Sequence, residues 1–514
     1  MNETTVRRMP LTPRRDRCTP LSLLVVAAMD RTGTSVSRAT LVHPSMTDHI
    51  VIIGAYGSAG IAAAERLVDE PDVELTLVDD GQPGGGLCLL RGCMPSKELL
   101  SAGAHRFQAR HDDRLSGAPT VDLDDVVATK DRHVQGFAEH RRESLHELTE
   151  RENVEFVHRT ATFVDDHTIA VGERTLDADY VVVATGSTPN VPPIDGIDDV
   201  DNLTSDDVLD ATEFPESGIV IGFGYIGMEL VPYLGEVGGM ELTVLERSER
   251  VLDEGDPALD DALTELYRDE FAIDLRTETQ ATSIEETEDG GVRLRTEHDG
   301  EEDVVEADQL FLFTGRRPAL GGLELDRSAL DPDPDAEWVE ATMQARDDER
   351  VFVVGDANGC EPILHIAKEQ GITAAENVLA HRDDEELAVY DPIHHHVIFS
   401  ALGVYPFVRV GHSEASVQET DREYVAVTRE ARDDGVFKTK AVPEGLATLV
   451  VDSDDGTVLG YQGFHHDADV MAKTMQVVVE TGMDVRDVPD RAYHPTTPEL
   501  IDGLVREARS AIEE

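Results

Sequence analysis

Twice in this chain a buried-strand run empties into a glycine-rich turn, continues as a helix and reaches a second strand ending on an acid. The first copy runs from residues 49–53 (HIVII) through Gly54, Gly57 and Gly60 to residues 73–78 and Asp79. The second runs from residues 218–221 (GIVI) through Gly222, Gly224 and Gly227 to residues 242–245 and Glu246. Glycines let backbone approach a phosphate, the helix N-terminus offers unpaired N–H groups, and the acid can accept from ribose hydroxyls. In the first copy one extra residue separates Gly54 from Gly57, which reads as an insertion at Ala55-Tyr56 that loosens the turn. The second copy fits the spacing without insertion, and Glu246 would repel a 2′-phosphate, favouring NAD. Arg247 and Arg250 lie close by and keep NADP open. Two dinucleotide sites in one chain imply electron transfer between two cofactors.

Directly after the first copy comes GGGLCLLRGCMPSKELL, residues 84–100, with Cys88 and Cys93 five positions apart. On an ideal helix their side chains would diverge by roughly 140°. A disulfide needs Cα atoms within about 7 Å and converging Cβ vectors. The joining turn must therefore be distorted, with Gly92 and Pro95 as the residues that allow it. Residues 96–100 read as helix, which puts the pair at a helix N-terminus that stabilises a thiolate. This reads as a redox-active dithiol. A pair of buried, inert thiols is the plainer alternative, and a zinc site would want more ligands at closer spacing.

Composition narrows the class further. The chain has 514 residues, enough for about three domains. It carries 105 Asp and Glu against 44 Lys and Arg, a net charge of −61. Only six of the bases are lysines, a balance that resembles the proteome of a salt-loving archaeon. Such a field repels phosphate backbones and argues against nucleic acid. Four cysteines are too few for a secreted disulfide scaffold, and no apolar run of eighteen suggests a membrane span, so a cytoplasmic protein is expected. Residues 1–45 differ, with seven arginines and three acids. Their apolar run at 21–29 weakly imitates a signal peptide. A start placed too far upstream is preferred, because Met46 opens almost directly into a strand; a disordered extension is the other option.

The dithiol stretch resembles the active-site signature of the flavin-dependent pyridine nucleotide–disulfide oxidoreductases, GGTCLNxGCxPSK. Gly85, Gly86, Cys88, Leu89, Gly92, Cys93, Pro95, Ser96 and Lys97 match; Leu87 replaces Thr and Leu90-Arg91 replaces Asn-x. Further family motifs follow in order: residues 180–186 (YVVVATG, with Thr185 and Gly186), 224–229 (GYIGME) and 311–318 (FLFTGRRP, with Gly315). Then come 351–356 (VFVVGD, with Gly355 and Asp356), 362–365 (PILH, with Leu364 and His365) and 494–499 (HPTTPE). The resemblance spans Met46 to the end. It implies an α/β chain with two Rossmann-like domains, for FAD (46–196 and 316–392) and NAD (197–315). A C-terminal α+β dimerisation domain (393–514) completes it. By the same resemblance Cys93 is the charge-transfer thiolate against the flavin, and Cys88 exchanges with the substrate. Glu229 pairs with Lys97 near the flavin, Tyr225 gates the nicotinamide, and Asp356 accepts from the ribityl hydroxyls. Leu364 and His365 begin the helix under the ring system, and His494, oriented by Glu499, reaches the dithiol of the other subunit in an obligate homodimer.

Some readings come from the residues alone. Thr497 can cap a helix opened by Pro498, leaving Glu499 on its first turn, able to fold back onto His494. An acid orienting a histidine is general acid–base apparatus, although a surface histidine beside a helix start fits as well. His394, His395 and His396 point alternately along a strand and are not read as a metal site. His105, His111, His133, His140 and His146 are expected at the surface, and Cys360 is a spare thiol. The substrate stays open. A dihydrolipoamide dehydrogenase, with a lipoyl domain of a 2-oxoacid dehydrogenase complex as partner, agrees with Glu246; Leu90-Arg91 and Ala492 stand against it. A reductase of a small disulfide such as bis-γ-glutamylcystine is the rival. A mercuric reductase would need a C-terminal cysteine pair, and a purely structural subunit of the complex is the non-enzymatic alternative.

Overall fold

The run of branched residues at 49–53 becomes β1 (Asp48–Ile53), whose last four residues are buried, and the alanine-rich stretch becomes α1 (Ser58–Leu67). β2 (Val73–Asp79) pairs parallel with β1 in the register Ile50↔Leu75. Continuous burial on both faces explains why these strands are apolar throughout rather than alternating. The computed structural model describes residues 47–252, 255–332 and 338–513. The expectations for residues 1–45 lie outside the described residues.

After β2 the chain forms α2 (Leu87–Leu90), α3 (Cys93–His111) and the long α4 (Leu123–Leu148), capped by the Asp122 carboxylate on the Asp125 N–H. β3 (Val154–His158) and β4 (Tyr180–Val183) rejoin the first sheet on either side of β2 and β1. The chain then leaves to build a second parallel sheet from β5 (Asn202–Thr204), β6 (Ser217–Ile221), α5 (Tyr225–Glu236), β7 (Glu241–Leu245), β8 (Asp274–Arg276) and β9 (Gln309–Leu312). Its strand order is β8-β7-β6-β9-β5. It returns through β10 (Gln344–Ala345) and β11 (Asp348–Val353), which complete the first sheet as β10-β11-β4-β1-β2-β3. The first sheet is thus assembled from two stretches of chain with the second inserted between them.

α6 (Leu364–Arg382) crosses α1 closely. A Cβ on Gly371 would lie 2.3 Å from the Ala59 carbonyl oxygen, so only glycine permits the contact. The C-terminal sheet is antiparallel, in the order β12 (His395–Ile398), β13 (Phe407–Gly411), β16 (Val458–His465), β15 (Gly445–Asp452), β14 (Tyr424–Glu430). β15 and β16 form the expected hairpin, and α7 (Ala468–Glu480) and α8 (Glu499–Glu513) cover the sheet. Tyr461, Phe464, Leu500 and Leu504 share one core with Leu99, Leu100 and Tyr233, so the C-terminal sheet, the dithiol helix and the second parallel sheet are packed as one body.

His111 departs from the surface expectation. Half-buried, its ring lies tilted against Phe107 with centroids 3.9 Å apart, and its ring nitrogen meets the Glu270 carboxylate, docking α3 onto the second parallel unit. Thr497 also departs, because its hydroxyl donates to Asp467 at 2.9 Å instead of capping α8.

Candidate active site

The two cysteines sit on separate helical pieces, Cys88 on α2 and Cys93 as the first residue of α3. Between them Gly92 adopts φ −129° and ψ −121°, and a Cβ there would lie 3.1 Å from the Cys88 Cα. Gly92 shares the distortion with Arg91, whose φ of −140° and ψ of 15° close α2. Pro95 falls in the first turn of α3, where a missing N–H disrupts nothing. Both thiols are free, Cys88 half-buried and Cys93 exposed.

Their environments separate them. The hydrogen bond from Cys88 is the largest influence on Cys93 and lowers its pKa to about 7; burial opposes this, and the Lys97 charge adds to it. The same bond, with burial, pushes the Cys88 thiol far up. Lys97 Nζ lies 2.7 Å from both Glu229 oxygens and 4.6 Å from the Phe399 ring centroid. Glu229 also accepts from the Phe399 N–H at 3.1 Å. Phe399 carried no signal in the sequence, since only folding brings it under Lys97.

The glycine turns place backbone where side chains cannot go. Gly54 has φ +93° and Gly222 φ +95°; Cβ atoms there would lie 2.2 Å from the Ala184 oxygen and 2.6 Å from the Phe313 oxygen. Gly57 caps α1 as Gly224 caps α5, and Gly60 and Gly227 face the carbonyls of Gly54 and Gly222. The extra residue in the first turn is absorbed by Ala55-Tyr56. The Tyr56 N–H donates to Asp79 at 2.9 Å, and the Tyr56 ring covers Gly84. In the second turn the Phe223 N–H donates to Glu246 at 2.9 Å. Each carboxylate keeps lone pairs for further donors. Burial raises the pKa of Asp79.

A cavity of about 560 Å³ connects the first turn to the dithiol. Gly54, Gly57 and Asp79 line one end, and Cys88 and Cys93 another. Thr185, Gly186, Gly355, Asp356 and Leu364 close the side. Ser187 and Arg316 also line it and were not foreseen. Ser187 donates to Asp356 at 2.6 Å, and Arg316 Nε donates to Ser187 at 3.1 Å, joining segments 129 residues apart. The volume suits a cofactor. The Thr185 hydroxyl is buried with no hydrogen-bond partner among the described residues, and the Gly54 backbone leaves no room for a side chain. Those features fit a flavin dinucleotide.

Other expected residues lie outside the cavity wall. Gly60 and Lys97 stand behind it, and Gly315 (φ +81°) accepts from the Asn190 N–H at a turn. Tyr225, the first residue of α5, stacks on His396 at 5.2 Å. His365 stacks on His395 at 4.3 Å, and burial lowers its pKa. His394 meets His396 at 2.8 Å and Glu361 at 3.1 Å. Among the described residues no three His, Cys, Asp or Glu side chains gather as metal ligands. His494 Nδ1 lies 3.0 Å from both Glu499 oxygens, a bond that raises the histidine pKa. Its side chain is 80% exposed and does not line the cavity of its own chain.

Residues 48–377 match the family described as pyridine nucleotide-disulphide oxidoreductase, and residues 397–504 match its dimerisation domain. The chain belongs to this family. It is 31% identical over 477 residues to dihydrolipoyl dehydrogenase 2 of Haloarcula marismortui, covering 90% of this chain and 96% of the relative. It is 28% identical over 456 residues to a mercuric reductase of Streptomyces lividans, covering 87% and 92%. In fold it is similar to the HOCl-induced flavoprotein disulfide reductase RclA from Escherichia coli, with a TM-score of 0.75, 22% identity, and 89% and 99% coverage. The protein is therefore an NAD(P)-dependent disulfide oxidoreductase that uses FAD. Among the described residues no helix is long and apolar enough to cross a membrane.

Proposed function

We propose that this oxidoreductase passes electrons between NAD(H) and a small disulfide, as a dihydrolipoamide dehydrogenase acting in the cytoplasm. The observation that carries the reading is the unequal thiol pair on the cavity wall, with Cys93 poised as thiolate and Cys88 as its hydrogen-bond donor. The names of the haloarchaeal relatives support the substrate. The FAD-binding unit is assigned to residues 46–196 and 316–392, the NAD unit to 197–315 and the dimerisation unit to 393–514.

FAD, when bound, supplies a two-electron carrier between the nicotinamide and the dithiol. The residues do the rest. The first-turn N–H groups of α1 and α5, just after Gly57 and Gly224, would face the two pyrophosphates, and Asp79 and Glu246 would hold ribose hydroxyls. Lys97, fixed by Glu229, keeps positive charge beside Cys93. In disulfide reduction His494 of the second subunit takes the proton from Cys88, whose sulfur attacks the substrate disulfide. A mixed disulfide forms, and the first thiolate leaves with a proton from His494. The Cys93 thiolate then attacks the Cys88 sulfur, closing the Cys88–Cys93 bridge and releasing the second substrate thiolate, which takes a proton from solvent. Two thiols of the protein are oxidised and one disulfide is reduced. Dithiol oxidation runs the same steps backwards.

The deciding experiment is a set of NADH and NADPH oxidation assays with lipoamide, bis-γ-glutamylcystine and Hg(II) at high salt. NADH-dependent turnover of lipoamide is expected, with NADPH the poorer donor. Turnover of Hg(II) alone would refute the disulfide reading.

A further inference from the structure

α4 runs alongside the dithiol loop, and the contact is tight at Ala138, whose Cβ would lie 3.0 Å from a Cβ on Gly85. Arg141 and Arg142 follow three and four residues later, on the same helical stripe. Arg142 donates to the Gly84 carbonyl at 2.8 Å, and Arg141 to the Tyr56 carbonyl at 3.2 Å. Each guanidinium group is thus anchored by one nitrogen, Arg142 on Gly84 and Arg141 on the Tyr56 carbonyl that lies against Gly86, two residues before Cys88, with further N–H donors left over.

Like Arg159, Arg268 and Arg506, the two have no carboxylate partner among the described residues, but of these five only they lie on α4 beside the dithiol loop. Arg91, three residues past Cys88, is held by the Asp210 carboxylate. Arg141 and Arg142 have only backbone carbonyls as hydrogen-bond partners among the described residues, in a protein with 105 acids. Its half-buried position costs Arg141 hydration, and the Glu65 charge offsets part of that cost. Neither arginine lines the 560 Å³ cavity, so the phosphates of a dinucleotide there do not account for them.

We propose that Arg141, assisted by Arg142, is a carboxylate-recognition site beside Cys88 that selects disulfides bearing an acidic group. This rests on the disulfide reading above and narrows its substrate class. At molar salt the screening length falls to about 3 Å, so only direct contact, not long-range attraction, can discriminate.

Lipoate and lipoamide share one dithiolane ring and differ by a single charge, so they isolate the effect. With the full-length protein at constant high salt, kcat/KM for lipoate is expected to exceed that for lipoamide by about tenfold, the scale of one charge-assisted hydrogen bond. Arg141→Met removes that advantage through KM and leaves lipoamide within about twofold, and Arg141→Lys restores part of it. Equal loss on both substrates, or no preference in the unsubstituted protein, overturns the proposal. So does a slower NADH-dependent bleaching of the flavin in Arg141→Met, which would make the arginine a support for the Tyr56 turn. Failure of the disulfide reading itself looks different: neither ring is turned over by the unsubstituted protein, and no long-wavelength thiolate–flavin band appears.

Discussion

Cys88 and Cys93 carry the same side chain and differ only in surroundings. Residue-scale chemistry therefore gives a direct test. Cys93 moves from an ordinary 9.0 to about 7, so its thiolate should form as pH rises through about 7. In the two-electron-reduced protein the long-wavelength thiolate–flavin absorbance is expected to titrate there. Cys93→Ser abolishes the band and Cys88→Ser keeps it. Lys97→Met withdraws the cation that favours the thiolate and moves the midpoint up by about one unit. His494→Gln is expected to slow the disulfide half-reaction by about 10²-fold or more while NADH-dependent flavin bleaching is unchanged, read by stopped flow. At this scale the thiols, the glycines and the paired His494–Glu499 were legible because the spacing of chemically distinctive residues survives in the sequence. The inequality of the thiols was implied by the family resemblance, but its cause, a hydrogen bond and the Lys97 charge, was not legible in their spacing.

Among the elements, two give measurable consequences. The turn between β1 and α1 closes on Gly54, where a methyl group would collide with the Ala184 oxygen. The C-terminal hairpin buries His465 completely, with Tyr461 donating at 2.8 Å and the His466 carbonyl accepting at 2.8 Å. Desolvation lowers its pKa from 6.5 to about 4. The unfolded chain therefore takes up this proton first, and the stability due to a neutral His465, complete above pH 6.5, is lost as pH falls toward 4. Linkage puts the loss at roughly 3 kcal/mol. Urea denaturation at pH 7 and pH 4.5 is expected to show a steeper fall for the native sequence than for His465→Gln. Strand and helix positions followed from burial period and glycine turns. Thr497 and His111 were misread because a side chain finds the best partner that folding supplies, here Asp467 and Glu270, both far away in sequence.

For the whole molecule, charge and assembly matter. A net charge of −61 repels itself, so lowering salt from about 2 M to about 0.1 M is expected to reduce the thermal midpoint, as salt no longer screens the acids. The family's dimerisation domain and the exposed His494 lead to a mixing experiment. Cys88→Ser and His494→Gln homodimers should each be nearly inactive. Unfolded and refolded together, they should recover about a quarter of native activity, since half the dimers are mixed and each holds one complete site. No recovery, with mixed dimers confirmed by mass, would place the histidine and dithiol in the same subunit. The sequence by itself determined which groups are present and which near neighbours share a turn: two glycine loops that open helices, a dithiol, and a histidine beside an acid. Only the tertiary structure decided the partners of those groups. Lys97 meets Glu229 across 132 residues, Arg141 meets Tyr56 across 85, and the cavity closes between segments that the second parallel sheet separates. Spacing along a chain fixes local geometry through the backbone, whereas hydrogen bonds and charge pairs between distant segments exist only once packing has brought them together.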